Sequence, residues 1–477
     1  MLHLAMSFAL AAAALAAQAA PPAPPSGTGS VAITGVTVVD VADGRVGPRQ
    51  TVVVHGNHIV AVGPGSTVKA PADAQLVDGT GKFLIPGLWD MHYHTPGEAE
   101  TRTMSLPLAI ANGVTGVRVM WGRPEHLTER ADVAAGTLMG PRMVVATPIF
   151  DGRMWQRSLS PGPEEARRQV ASFAQQGYDF VKTYQFLPRD VYLAIADEAK
   201  RLGIPFAGHA PLTLTAVEAS DAGQRSFEHD MGLALACSRD EARIRSLLVA
   251  DEAKLPPYSF AEHVDMMVRT DTEPLATLDP DRCSALAATL RKNGTWLVPT
   301  LVLYRGRGAS PGSPVREDAR LKYMTVATRG WFAKEPPFPG FEALRPHMAW
   351  LAIMMQRAGV GILAGTDTPN PYVIPGFSLH DELALLVEAG FSPLEALQTA
   401  TLNPARFLNA TDSMGAIAPG KLADLVLLDA DPLADIHNTT KIRAVFANGR
   451  YLDRAALDAM LADVERAANA PPAARTP

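Results

Sequence analysis

The sequence predicts an α/β fold: a (β/α)8 TIM-like barrel carrying a small β-sandwich domain built from both ends of the chain. Three observations predict it. Between residues 85 and 366, short apolar runs alternate with segments of helical pattern, as repeated βα units and a parallel sheet require. Residues 31–84 alternate apolar and polar positions and are rich in Val and Ile, as half-buried strands are. From about residue 418 that pattern returns in "KLADLVLLDA" and "IRAVFANGRYL"; a lone strand pair is not stable, so the two ends are expected to share one sheet domain.

In order along the chain, residues 1–20 read as a signal peptide. Residues 4–20 are apolar and small, and "AQA" at 17–19 has the small-x-small form of a cleavage site, although the n-region holds no Lys or Arg. An uncleaved anchor is the alternative. Cleavage implies an exported protein, periplasmic or secreted. "PPAPPSGTGS" at 21–30 is a flexible linker. Residues 31–84 form the N-terminal part of the β-sandwich, with "HGNH" at 55–58 as a hairpin turn, so His55 and His58 are read as turn residues.

The barrel is expected over 85–417. Its strands lie near 84–92, 114–120, 142–147, 179–184, 204–209, 225–229, 296–303 and 361–366, with helices such as 164–176, 190–202 and 281–292 between them. The steps after strands six and seven are each about 65 residues, so 231–278 and 304–348 hold extra material over the catalytic face. Residues 418–455 complete the sandwich, and 456–477 give a C-terminal helix and a disordered tail.

Composition narrows the function. The chain has 477 residues, 47% hydrophobic and 19% charged, with 43 basic against 49 acidic side chains. No basic block stands out, which argues against nucleic acid as a partner. No run after the leader is long enough to span a membrane. Cys237 and Cys283 either pair, as export permits, or stay as buried thiols; neither has a partner at zinc-finger spacing.

The chemistry sits at strand ends. In "IPGLWDMHYHTPGE" an aspartate and two histidines, Asp90, His92 and His94, alternate along the first strand and would share a face. Strand four carries Lys182 in "YDFVKTY", strand five ends at His209, strand six at His229, and strand eight at Asp367 in "ILAGTDTPN". In a parallel barrel these ends meet at one mouth. Four of the twelve histidines would converge there with a carboxylate, a set that suits zinc or a similar divalent ion. Lys182 is out of place among cations as an ammonium. Combined with carbon dioxide it becomes an anionic carbamate that can bridge two of them. The other reading is a lysine that snorkels from its strand.

These motifs, with "FAGHA", "SFEH", "HDELALLVEAGFSPLEALQTATLNPARFL" (380–408) and "GAIAPGKLADLVLLDADPLADI" (415–436), resemble the metal-dependent amidohydrolase superfamily. The likeness is to the branch of imidazolonepropionase and the Xaa-Pro dipeptidases. The resemblance implies two divalent ions: His92, His94 and Asp367 on one, His209 and His229 on the other, with N-carboxylated Lys182 and a hydroxide between them. It gives Asp367 the catalytic proton transfer. Imidazolonepropionases and the related deaminases usually lack the bridging lysine, so Lys182 argues against both.

The expected activity is hydrolysis of an amide bond in a dipeptide-like or N-acyl amino acid substrate. Esters, lactones or phosphotriesters on the same centre are the alternative, and a non-catalytic binding protein is a third reading. Substrate contacts are sought at Tyr304 and Arg305 after strand seven and at His380, which is otherwise a helix-start residue. A substrate carboxylate would need a donor such as Arg118, Arg123 or Arg153. Homo-oligomerisation is left open.

Overall fold

The computed structural model describes residues 29–156 and 158–470. The leader at 1–20, nearly all of the linker and the last seven residues of the tail lie outside them.

The strands at the start of the chain are β1 (Ser30–Val39), β2 (Val46–His55), β3 (His58–Pro64), β4 (Gln75–Asp78) and β5 (Phe83–Pro86). β2 and β3 form the hairpin over "HGNH", with His55 opposite His58. The parallel units follow as β6 (Leu88–Tyr93), β7 (Val114–Val119), β8 (Arg142–Val145), β9 (Val181–Thr183), β10 (Phe206–Gly208), β11 (Ser226–Glu228) and β12 (Trp296–Val298). The chain closes with β13 (Leu425–Leu428), β14 (Ile442–Ala447) and β15 (Arg450–Asp453).

Both ends of the chain do meet in one sheet. Its order is β15-β14-β13-β5-β1-β2-β3, with β4 on β1. The seam is β5, antiparallel to β13 and parallel to β1. Ile33, Val52, Ile59, Leu84, Leu427 and Phe446, drawn from both ends, share one buried cluster.

The expected first strand, 84–92, is two strands. Leu84 and Ile85 belong to the end sheet, and the chain turns at Gly87 into β6. A Cβ at Gly87 would lie 2.0 Å from Thr115 Oγ1, so only glycine allows this handover. β6-β7-β8 and β9-β10-β11-β12 are parallel sheets, and an Ala146–Phe180 bridge links them. Segment 361–366 is not a continuous strand. It makes a single parallel bridge, Ile362 to Leu297, and just beyond it Thr368 bridges Tyr93. Thr366 N divides between the Asp90 carboxylate at 3.0 Å and His92 O at 3.2 Å.

Helices fall where their caps put them. Pro163–Gln176 starts on proline and stops at left-handed Gly177. Arg189–Leu202 ends at Gly203, and Pro280–Asn293 runs from the Asp279 cap to Gly294. The two long insertions are helical. Leu233–Cys237, Glu241–Glu252 and Phe260–Thr272 fill the first. Leu301–Gly308, Val326–Lys334 and Pro339–Arg357 fill the second. Cys237 and Cys283 are paired as a disulfide that ties the first insertion to Pro280–Asn293. The last helix, Arg454–Ala468, is capped by Asp453 and buries Leu457 and Val464. Among the described residues, no helix is long and apolar enough to cross a membrane.

Candidate metal centre

β6 is buried along its whole length and delivers the first ligand candidates. Asp90 does not reach the cluster. Its carboxylate accepts from His92 N at 3.2 Å and from Thr366 Oγ1 at 2.6 Å, and burial pushes it up to about 7. This contact pins segment 362–368 beside β6, where Asp367 N donates to His92 O at 2.7 Å. Gly365 permits the approach, since a Cβ there would stand 2.7 Å from His92 Cβ.

Asp367 is the hub. Its Oδ1 lies 3.3 Å from His92 Nε2 and 2.9 Å from His94 Nε2, and its Oδ2 lies 3.9 Å from His229 Nε2. One donor atom each from His92, His229 and Asp367 falls within 4.8 Å of the others, a metal-sized grouping. Burial raises a carboxyl, but His92 and His229 beside it and the bonds from His92 and His94 outweigh that, so Asp367 stays ionised. Burial holds His94 and His229 below their ordinary value.

His209 and Lys182 complete the set from β10 and β9. The His209 ring lies 4.9 Å from that of His229 and stacks on Tyr184 at 3.9 Å. Neither ring nitrogen has a hydrogen-bond partner among the described residues, although the residue is 1% exposed. Lys182 Nζ is equally buried and unpartnered, and burial lowers its pKa to about 8. Buried polar atoms in native proteins are nearly always bonded. Imidazole nitrogens and a carboxylate that converge, with further donors left open beside them, fit a divalent cation.

Glu228, just before His229, was missed in the sequence. It accepts from His92 Nδ1 at 2.8 Å, and Arg118 Nη2 reaches both its oxygens, at 2.8 and 2.9 Å. Burial alone would raise Glu228, but Arg118 and His92 outweigh it and hold the carboxyl well below its usual range. The bond orients the His92 ring so that Nε2 faces Asp367; with a metal bound, the proton would sit on Nδ1 and Nε2 would be the ligating nitrogen. An acid on a buried strand beside a ligand histidine is the signal that could have revealed it. Arg118 is thereby placed under the centre, between the rings of Phe180 and Phe407, and not in the substrate's path.

A cleft opens over His94, His209, His229 and Asp367. Trp121, Trp155, Phe260, Met267 and Phe341 line it, most of them from the helical insertions. The three expected substrate contacts are not on this wall. The chain leaves β12 at Val298 and turns into helix Leu301–Gly308, where the sequence predicted strand to 303. Tyr304 therefore turns inward and donates to His229 O at 2.6 Å. Arg305 pairs with Asp381 at 2.7 Å. His380 bonds Thr439 and Asn112, each at 2.9 Å, at the seam with the end sheet. Arg153 is exposed and off the wall. Arg123 lines the cleft, with its charge paired to Glu125 at 2.7 Å. Arg307, which the sequence did not single out, lines it too.

The comparisons agree with this architecture. The chain is 45% identical over 68 residues to adenine deaminase 2 of Jannaschia sp., 14% of this chain and 10% of that protein. It is 35% identical over 107 residues to imidazolonepropionase of Pseudomonas savastanoi pv. phaseolicola, 22% of this chain and 24% of that one. The matched stretches thus span no more than about a quarter of these relatives. Solved structures match along their length. Bottromycin amidohydrolase superposes with a TM-score of 0.69 at 24% identity, over 93% of this chain and 92% of that one. A Xaa-Pro dipeptidase with methionine in its active site gives 0.62 at 19%, over 89% and 100%. The model of the amidohydrolase family matches residues 83–452, and the chain belongs to that family.

Proposed function

We propose that the chain is an exported metal-dependent hydrolase that cuts an amide bond in a dipeptide-like or N-acyl amino acid substrate. One observation carries the reading: Lys182 Nζ and both nitrogens of His209 are buried without partners beside the His92–His229–Asp367 grouping. On this reading His92, His94 and Asp367 would hold one divalent ion and His209 and His229 a second, with N-carboxylated Lys182 as the anionic ligand that the two would share. Zinc suits such donors. The expected ring of eight parallel strands also belongs here; single bridges from segment 362–368 to β12 and β6 support its closure. The shared core of both chain ends supports the sandwich, and with it the division into 31–84, 85–417 and 418–455.

Bound there, the ions supply an acidified water as nucleophile and polarise the scissile carbonyl. The chain's own groups do the rest. Asp367, ionised at the cleft floor, takes the proton that the attacking water gives up and passes it to the leaving nitrogen. Glu228 and Tyr304 hold His92 and His229 in place. The aromatic and methionine wall excludes water and takes an apolar substrate group.

The test is metal content together with rates on matched amides, esters, lactones and phosphotriesters. About two divalent ions per chain and preferential amide cleavage are expected, and His92→Ala and His209→Ala should each lower occupancy. Ester or phosphotriester preference would favour the alternative chemistry; metal without turnover would favour a binding protein. For export, mature protein should begin near Ala20 or Pro21, whereas an intact Met1 in a soluble cytoplasmic fraction would overturn that part.

A further inference from the structure

Two guanidinium groups face the cleft, and they differ in charge balance. Arg123 is paired with Glu125 and also donates to Thr95 Oγ1 at 3.1 Å. Arg307 forms no ion pair among the described residues; its only hydrogen-bond partner is a neutral amide, Asn370 Oδ1, reached from Nε at 3.1 Å and from Nη2. The Phe338 ring lies under its Cζ at 5.6 Å. The group is therefore flanked on one side by the Phe338 ring and tied along one edge, and Nη1 has no hydrogen-bond partner among the described residues. Asp367 and Glu335 both favour its charge from a distance, but neither forms an ion pair with it, and Asp367 is engaged by His92 and His94.

The clamp is also registered to the chemistry. Asn370 Nδ2 donates to Asp367 O at 2.6 Å, so one short loop sets the distance between the guanidinium and the proton-transferring carboxylate. A guanidinium with no ion-pair partner among the described residues, tied to a neutral amide in a cleft walled largely by apolar side chains, is suited to an anion on the ligand. We propose that Arg307 is the specificity-determining residue of this site, and that it receives the free carboxylate of the amino acid that leaves as the amine. This rests on the amide-hydrolase reading. It follows from where Asp367 must deliver its proton: the leaving nitrogen lies beside Asp367, and Arg307 is tethered to the same residue. The cleft has a volume of about 240 Å³, below the roughly 300–1,000 Å³ of drug-sized sites, which suits a dipeptide-sized molecule.

The experiment compares a mixed dipeptide library with the same library amidated at its C-termini, using zinc-loaded enzyme and mass spectrometry. The wild type should prefer the free acids by about 100-fold in kcat/KM, the scale of a hydrogen-bonded charge pair. In Arg307→Gln that ratio should collapse toward one, chiefly through KM, and Arg307→Lys should keep part of it. An amidated library cleaved as well as the free one, or an Arg307→Gln enzyme that keeps the preference, overturns the proposal. If neither library is cleaved, the amide reading fails on its own. Calorimetry of L-methionine against L-methioninamide then decides Arg307 separately. Tighter binding of the free acid that disappears in Arg307→Gln supports it, and equal binding overturns it.

Discussion

The two halves of the candidate centre are built differently. Around Asp367 the chain satisfies itself: His92 is held between Glu228 and Asp367, His94 bonds Asp367, and Arg118 balances Glu228 from below. Around His209 and Lys182 it does not, and three buried nitrogens there have no partner. Each such group costs about 1–3 kcal/mol. The first half is thus already cross-linked by protein contacts, whereas the second, on the proposed reading, would be satisfied by the ligand it holds. A centre of this kind holds its proton-transfer group ready and uses the second half as the receptor.

The hardest test of that division is Asp367→Asn. It keeps the side-chain shape but removes the proton acceptor, and activity should fall by about 10²- to 10⁴-fold. A rate within tenfold of wild type would mean that the self-satisfied half is structural only. Lys182→Ala should have a smaller but still steep effect on the other half. Added acetate or propionate should restore part of that loss, because a small carboxylate can stand where the proposed carbamate would; it should do little for Asp367→Ala. Lys182→Arg keeps the positive charge and should remain poor. A Lys182→Arg enzyme with near-normal rate and two bound metals would falsify the bridging role.

Glu228→Gln probes the support beneath the first half. The amide can still accept from His92, but it no longer balances Arg118. Support residues of this type typically change metal affinity by about 10- to 100-fold, and that range is expected here in a zinc titration. Unchanged affinity would show that His92 is positioned by its strand and not by Glu228.

The same contrast explains what could be read in the sequence. Ligand candidates at strand ends were legible because each ended a short apolar run, as His209 ends "IPFAGH" and Asp367 ends "GILAGTD". Glu228 was not, since strict alternation turns it away from the face of His229. His229 has φ +64°, which breaks that alternation and allows neighbours to serve one site. Arg307 was hidden by the conformation at Thr300, φ +49°, where strand passes to helix. On a helix Leu303 and Arg307 are four apart and share the face that lines the cleft, while Tyr304 points elsewhere. A strand pattern carried through to 303 cannot show this. The end sheet was legible as strands, but its handover at Gly87 depends on Thr115, a neighbour remote in sequence.

Metal removal separates the halves most directly. Zinc removed by chelation should loosen the half whose donors lack protein partners more than the half that is already cross-linked. The amides to watch are those around the open donors: Phe150 N, which donates to Lys182 O at 2.9 Å, and His209 N, which donates to Thr183 O at 3.2 Å. The reference amides are Met91 N on Ala364 O at 2.9 Å and His94 N on Thr368 O at 2.8 Å. A ligand present at about 100 times its dissociation constant stabilises the state that binds it by about 2.7 kcal/mol, or roughly 100-fold in an opening equilibrium. Global unfolding would spread that loss over every amide. Local opening confines it to the segments that close on the ligand. Hydrogen exchange should therefore accelerate by up to about 100-fold at Phe150 and His209 in the metal-free protein, with much smaller changes at Met91 and His94. Equal acceleration at all four amides would mean that the metal stabilises the molecule as a whole. Faster exchange at Met91 and His94 than at the other pair would reverse the assignment of the self-sufficient half.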